Sequence, residues 1–541
     1  MGRSDTMARL LRLARLAERC ERTGESADEA LGQARDCSES RRKFSKGVVA
    51  ATGTAAAWSV SPLAFDAIAK APRDGFDYVR GGQVAVIGAG LAGLSCASEL
   101  ARLKFRPSVF EASDRVGGRC ASLRDVFPGQ VVERGGEYIS SSHHTMLGYA
   151  RRFGLRLEIS ASLPGATYYA LGGSRYTEAQ VASEYGEFTA SIREDLATLQ
   201  RPTADQFTEH DAVLDYMSLD DYLSLHKAGP LLRGVIGGAY LAEFGATLDE
   251  LSAISFLRFV YGDRRTKQMP VGRNAGEFLR VVDGNDQITT RLAQQLPTPV
   301  SFGHRLVSVR KLAGGKLRLG FDVGGSTVHG EYDAVVLTLP FTVLRDVELH
   351  PSLELPDWKR QAIASADLGR QGKLMVGFGE RVWQTRHGSN GSGYSDRAFA
   401  QSTWEASPGR SDATRGVLAA HIGGQAGRAL SPATLATDTA SFLSGLEAVM
   451  PGATAAASRN GQGAVLAYAE NWAANPFSKG THTFNRPGYF TTTADNEAKA
   501  VDNLLFAGEH TSSFYEWQGF MEGAALSGLR AAGEVMALAR I

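Results

Sequence analysis

Residues 83–93 read QVAVIGAGLAG, and no other stretch limits the fold so tightly. Val84 to Ile87 is a short apolar run suited to a buried strand. Gly88, Gly90 and Gly93 follow as G-x-G-x-x-G, and LSCASELARL continues at helical spacing. Alone, the glycine pattern is weak; strand, tight turn and helix in that order give it meaning. Without side chains the loop backbone can approach a pyrophosphate, and the helix N-terminus offers N–H groups and the positive end of its dipole. A second strand, PSVFE, ends at Glu111, 18 residues after Gly93. An acid at that distance suits a ribose hydroxyl.

The chain has 541 residues, too many for one simple core, so several domains are expected. Its 58 basic and 58 acidic residues leave no net charge. A general nucleic-acid binder needs excess basic charge, so none is expected here. The four cysteines form no CxxC pair, which argues against a disulfide scaffold or a zinc site. His143-His144 lacks a third ligand in sequence and reads as loop, so no metal is expected. Segment 189–262 has the spacing of several helices. Segment 386–415 is rich in Gly, Ser and Arg and reads as a surface loop at its start.

Further motifs recur in order along the chain: EASDRVGGR at 111–119, ERGGEYI at 133–139, VDGNDQIT at 282–289, RLVSVR at 305–310, YDAVVLTLP at 332–340, and GEH with GFMEGA from 508 onward. Over about residues 82–541 the chain resembles the flavin-containing amine oxidase family, which includes monoamine and polyamine oxidases. The resemblance implies an α/β fold with a discontinuous, Rossmann-like FAD-binding domain (80–150, 280–345 and 465–541) and an α+β substrate domain (151–279 and 346–464). It gives Arg119 the FAD phosphates. Gly135, Gly136, Glu137 and Tyr138 would run beside the flavin, and the Val307 backbone would meet adenine. Trp472 would pack around the ring system, with Gly508, Glu509 and Met521 in the last flavin motif.

In the family's chemistry a hydride leaves the amine's α-carbon for flavin N5, the imine is hydrolysed to an aldehyde, and O2 reoxidises the flavin to give H2O2. The amine must be neutral and oriented; an apolar, aromatic pocket serves both needs. By alignment His482 and Phe520 stand at the two cage positions that flank the amine, Trp517 packs nearby, and Lys373 matches a lysine that holds water near N5. Thr481 stands where some members attach FAD through cysteine, so non-covalent FAD is expected. A homodimer is possible in such a family. An L-amino-acid oxidase, an FAD desaturase and a non-catalytic flavoprotein remain alternatives, and Glu516 is a candidate for holding a second ammonium.

The C-terminal stretch places Phe514, Tyr515, Trp517 and Phe520 ahead of a helix that starts with small residues, Gly523, Ala524 and Ala525. The reading is that the flavin ring lies close to that helix start. At the other end, residues 1–69 read as a leader. SRRKFSK, with Arg41 and Arg42, precedes an apolar run of about 14 residues, too short to span a bilayer. Ala67-Ile68-Ala69 offers a cleavage site. The segment resembles a twin-arginine signal, so the export machinery is an expected partner and the expected location is periplasmic or secreted, or cytoplasmic if the leader is silent.

Overall fold

Val84–Ile87 is a fully buried strand, second in a four-stranded parallel sheet ordered Ser108–Phe110, Val84–Ile87, Ala334–Leu337, Leu504–Phe506. A parallel sheet is covered on both faces, which is why its strands are continuously apolar rather than alternating. The computed structural model describes residues 5–33, 82–159, 164–260, 278–407, 414–512 and 517–538. One face of the sheet is covered by helices Leu91–Arg102 and Met521–Leu538, packed on each other. The other face carries the antiparallel meander of Arg305–Lys311, Leu317–Val323 and Ser326–Tyr332. Three distant parts of the sequence therefore build one mixed α/β nucleotide-binding body.

A seven-stranded sheet forms a second body, ordered Ala467–Glu470, Gly372–Phe378, Gly416–Ile422, Ser402–Glu405, Ser389–Ser395, Ala166–Leu171, Ser174–Tyr176. The pairing is antiparallel except between Ser389–Ser395 and Ala166–Leu171. Helices between Glu178 and Val260 build the apolar cluster behind it. Strand Ala467–Glu470 is the edge of this sheet, and Tyr489 and Phe490 join its helical core. The sequence reading had placed both in the nucleotide-binding unit.

Segment 386–415 is a second correction. Ser389–Ser395 is a buried strand, not a surface loop. Its glycines are packing residues. A Cβ on Gly393 would stand 2.1 Å from the Tyr168 ring, and one on Gly391 would stand 2.9 Å from Leu418. Composition alone could not separate that use of glycine from a turn.

The third correction is at the N-terminus. Helix Asp5–Thr23 is part of the core. Met7, Leu10, Leu13, Ala14 and Ala17 recur at helical spacing and are buried with Tyr185, Phe188 and Ala239. Arg9 is buried too; it donates to the Thr403 carbonyl (2.9 Å) and stands over the Tyr394 ring. Thr6 bonds Ser402, and the Tyr394 hydroxyl donates to the Thr6 carbonyl. Arg41, Arg42 and Ala67–Ala69 lie outside the described residues. Leu13 is 0% exposed. Leu13→Ala is expected to cost about 2–5 kcal/mol, the usual range for a buried leucine. Thermal unfolding of the full chain checks it; a disposable leader would give no change.

Candidate active site

The two bodies meet at a cleft of about 530 Å³. All of the site residues expected from sequence line it except two, Gly93 and Trp517. The glycine loop forms one end. Gly88 has φ +107°, a conformation open to glycine. A Cβ on Gly90 would meet no atom within 4 Å, so the loop leaves open space on the cleft side. Gly93 faces the other way: a Cβ there would stand 1.9 Å from the Gly88 carbonyl oxygen. Its part is to let helix Leu91–Arg102 sit against the turn. That helix has no side-chain cap, so its first N–H groups remain for an anion. Glu111 receives the Ala89 N–H (2.8 Å) on one oxygen and the Ser113 N–H and hydroxyl on the other.

Arg119 is fixed across the cleft. Nη1 donates to Glu509 Oε1 (2.9 Å) and to the Thr481 carbonyl (2.6 Å). Glu509 Oε2 accepts from Thr483 Oγ1 (2.8 Å) and the Gly519 N–H (2.6 Å). Burial alone would raise this carboxyl; Arg119, His510 and His482 outweigh it and hold it down at about 2. The linkage follows in sign. A lowered carboxyl stabilises the fold above its ordinary 4.5, and the contribution is lost as pH falls toward 2. From 4.5 to about 2 this is on the order of 3 kcal/mol, each pKa unit being worth about 1.36. Glu509→Gln is therefore less stable than the parent at neutral pH, and the gap closes on acidification. Melting temperatures of both proteins against pH measure it.

Gly135 to Tyr138 runs along the cleft wall and is held by Asn285. The Asn285 side chain donates to the Gly136 (3.0 Å) and Glu137 (2.9 Å) carbonyls, and its backbone N–H donates to Glu133. A Cβ on Gly135 would stand 1.8 Å from the Arg119 carbonyl oxygen. Lys373, on the buried strand Gly372–Phe378, points into the same wall. Its Nζ donates to Glu137 Oε2 (2.8 Å) and the Glu133 carbonyl (2.7 Å), and lies 5.2 Å from the centre of the Trp404 ring. Trp404 Nε1 donates to the other Glu137 oxygen (3.1 Å). Burial pushes the Glu133 carboxyl up to about 7, against the pull of its Ser122 and Asn285 donors. Trp472 lines the cleft and donates to the Arg134 carbonyl (3.2 Å). Val307 lines the cleft with His304 and Arg305 on the Glu111 side, where the His304 N–H donates to the Glu111 carbonyl (2.9 Å).

The C-terminal stretch departs from its sequence reading. Phe520 and Met521 line the cleft, but Trp517 stands behind Phe520 and packs edge-on against it and His143. Gly523 does not face the cleft; a Cβ there would stand 2.1 Å from the Trp517 carbonyl oxygen. Gly528 is small because the helix crosses Leu91–Arg102 at that point, with Ala92 O 2.1 Å from a Cβ. Ala524 alone of the three small residues lines the cleft, while Ala525 is in the core. Glu522 accepts the Thr145 and Met146 N–H groups, capping helix His144–Arg152. Phe514, Tyr515 and Glu516 lie outside the described residues.

Several lining residues carried no sequence signal: Glu243, Gln371, Trp404 and His421. Burial, with Lys373 and His482 nearby, lowers the His421 imidazole to about 3 against the opposing pull of Glu243, so it is neutral.

A family model described as flavin containing amine oxidoreductase matches residues 91–536, most of the chain. The chain belongs to the flavin-containing amine oxidoreductase family. A flavin-containing amine oxidase of Danio rerio is 24% identical over 470 residues, covering 84% of this chain and 85% of the relative. An L-amino-acid oxidase of Bungarus fasciatus is also 24% identical, over 471 residues, at 84% and 86% coverage. Among solved structures, putrescine oxidase bound to putrescine superimposes with a TM-score of 0.68 at 22% identity, covering 84% of this chain and 99% of that one. As a member of this family the protein is an oxidoreductase that uses a flavin and acts on amine donors. Its residues fit that cofactor: the Gly90 space, the uncapped helix N-terminus and the acid Glu111 lie at one end of a cleft long enough to continue past Arg119 to Lys373.

Proposed function

We propose that the protein is an FAD-dependent amine oxidase that binds FAD without a covalent bond and passes electrons to O2, releasing an aldehyde and H2O2. The observation that carries the reading is one continuous cleft joining the glycine loop to a chamber walled by Lys373, Trp404, His482 and Phe520. Bound there, the flavin would accept the hydride from the amine's α-carbon and be reoxidised by dioxygen. Gly88, Gly90 and the helix start would hold the pyrophosphate, Glu111 the ribose, Arg119 the phosphates and Val307 the adenine. Gly135 to Tyr138, Trp472, Gly508, Glu509 and Met521 would frame the ring system. Thr481 offers no thiol for attachment, and burial raises the Cys120 thiol well above its ordinary value, which keeps it unreactive.

The chain's own contribution is orientation and protection. Trp404 and Phe520 exclude water and favour the neutral amine. Lys373 holds a positive charge beside the ring's place, suited to proton handling during reoxidation. An amine fits this chamber better than an amino acid. Among the described residues, the arginines lining the cleft are Arg115, Arg119, Arg134 and Arg305, and all are committed elsewhere: Arg119 to Glu509, Arg134 to Glu470, Arg305 to Asp322, and Arg115 to the Val116 and Gly118 carbonyls.

The test is anaerobic. Monoamines, diamines, polyamines and L-amino acids are added singly to the yellow protein while the flavin absorbance is followed, and air is then admitted. Bleaching by an amine class, with peroxide on reoxidation, is expected. Bleaching by amino acids only would move the reading to that class, and firmly bound FAD that none of them bleaches would end the amine-oxidase reading.

A further inference from the structure

The amine chamber and the N-terminal helix meet along one row of the seven-stranded sheet. Lys373 pairs with His421, His421 with Ser402, Ser402 with Tyr394, and Tyr394 with Tyr169. Residues directly opposite each other on neighbouring strands project from the same face, so these five side chains stand side by side. Lys373 and His421 line the cleft. The next two meet helix Asp5–Thr23. Ser402 Oγ and Thr6 Oγ1 share a hydrogen bond, and the Tyr394 hydroxyl donates to the Thr6 carbonyl. Tyr169 stacks on Tyr394 with ring centres 5.6 Å apart, and lies in the same apolar cluster as Leu10, Leu13 and Ala17. The first turn of the helix therefore begins where the chamber wall ends.

The strand between them, Ser402–Glu405, also carries Trp404. Trp404 lines the chamber, packs edge-on against His421 with ring centres 4.6 Å apart, and holds Glu137 through Nε1. On one side this strand pairs with Gly416–Ile422 over four residues. On the other, its ladder with Ser389–Ser395 covers two pairs, Gly393–Thr403 and Tyr394–Ser402. Arg9 Nη2 donates to the Thr403 carbonyl (2.9 Å) beside that short ladder, one residue from Trp404. Arg9 is buried, and a guanidinium is costly to bury; an apolar side chain would fill this helix face at less cost. What the arginine adds is a charge-assisted bond that fixes where helix and strand meet.

We propose that Thr6 and Arg9 are positioning residues for amine oxidation: the N-terminal helix holds strand Ser402–Glu405 in place, and through it fixes the Trp404 and His421 side chains against which the amine is oriented. The inference deepens the amine-oxidase reading and rests on it. Neither Thr6 nor Arg9 lines the cleft, so both act through the strand. The helix lies before residues 91–536, the part of the chain that the family model matches. Its contribution is geometric. A shift of about 1 Å in a group that orients the substrate, caused by a change far from the chemistry, can cost about a hundredfold in rate.

The experiment uses the full, flavin-loaded chain with benzylamine and 1,4-diaminobutane as probes. The parent is compared with Thr6→Val, Arg9→Met, Arg9→Lys and Leu13→Ala. Valine and methionine keep bulk and lose the side-chain bonds, lysine keeps a donor, and Leu13→Ala loosens the same helix while leaving both bonds. Two quantities are read: the limiting rate of anaerobic bleaching, and amide hydrogen exchange in Ser402–Glu405 and Gly416–Ile422. In Arg9→Met the limiting rate is expected to fall about tenfold. Exchange in Ser402–Glu405 is expected to rise about tenfold in the same variant. Thr6→Val shifts both in the same direction, and Arg9→Lys restores most of the rate. Leu13→Ala melts lower yet keeps the parental limiting rate. Retention of the flavin spectrum reports folding, and Thr6→Val carries the test if Arg9→Met loses flavin. A parental rate in Arg9→Met, faster exchange without slower bleaching, or a loss in Leu13→Ala as large as that in Arg9→Met would overturn the positioning role in favour of plain packing. Parent flavin that neither amine bleaches would instead sink the amine-oxidase reading for these probes, and the positioning role with it.

Discussion

Lys373→Met destabilises the fold by about 3–5 kcal/mol, the expected cost of breaking a buried ion pair from one side. Both side chains of the Lys373–Glu137 pair are 7% exposed, so water cannot replace the ammonium. Methionine keeps the length of the stem but leaves the Glu137 oxygen and the Glu133 carbonyl without their donor. Trp404 still holds the other Glu137 oxygen, which fixes the stranded charge in place rather than releasing it. Adding Glu137→Gln to Lys373→Met removes that charge and is expected to restore much of the loss; a double-mutant cycle of melting temperatures reads the coupling. The kinetic effect divides differently. If Lys373 handles protons during reoxidation, air oxidation of the bleached flavin slows by about a hundredfold while anaerobic bleaching changes little. Equal slowing of both half-reactions would assign Lys373 to structure alone.

Gly90→Ala and Gly93→Ala separate two uses of glycine in one loop. At Gly93 the new methyl would meet the Gly88 carbonyl at 1.9 Å, so the helix must move off the turn. Both stability and flavin content are expected to collapse, the fold losing about 3 kcal/mol or more as in other overpacked sites. At Gly90 the methyl meets nothing within 4 Å and the backbone is extended, with φ −74° and ψ −179°. The apoprotein should melt within about 0.5 kcal/mol of the parent, the ordinary range for a substitution without a steric conflict. Its methyl stands where the pyrophosphate is expected to approach, so flavin affinity falls by at least about a hundredfold, or about 2.7 kcal/mol. Flavin titration of the apoproteins, alongside their melting curves, measures both. Equal flavin affinity in Gly90→Ala and the parent would remove the loop from the cofactor site.

The glycine loop was legible because it is a constraint on backbone, and backbone constraints leave a local signature. Glu111, Arg119 and the Gly135–Tyr138 run were legible for the same reason, each lying next to such a turn. Trp404, His421 and Glu243 were not. They reach the chamber from separate strands and a helix end, and each depends on pairing that no local spacing records. His482 was visible as an isolated group, but the approach of Glu243 Oε1 to within 3.2 Å of its Nε2 was not, since only folding brings the two together. Small residues misled in a consistent way. Gly391, Gly393 and Gly523 suggested a loop or room for a flat ligand, and each makes way for a neighbouring chain segment instead.

The docked N-terminal helix changes what a cut would mean. Residues 5–33 and the nucleotide-binding body are joined through residues 34–81, and the candidate cleavage site lies in that stretch. While the chain is whole, the helix is its own ligand at high effective concentration. A cut in that stretch would leave the covalent bond out of the account and make docking bimolecular. The helix would stay bound by its buried leucines, yet its occupancy would follow mass action, and the stability of the larger fragment would fall on dilution. Such a cut would then yield a complex of two pieces rather than a shorter chain.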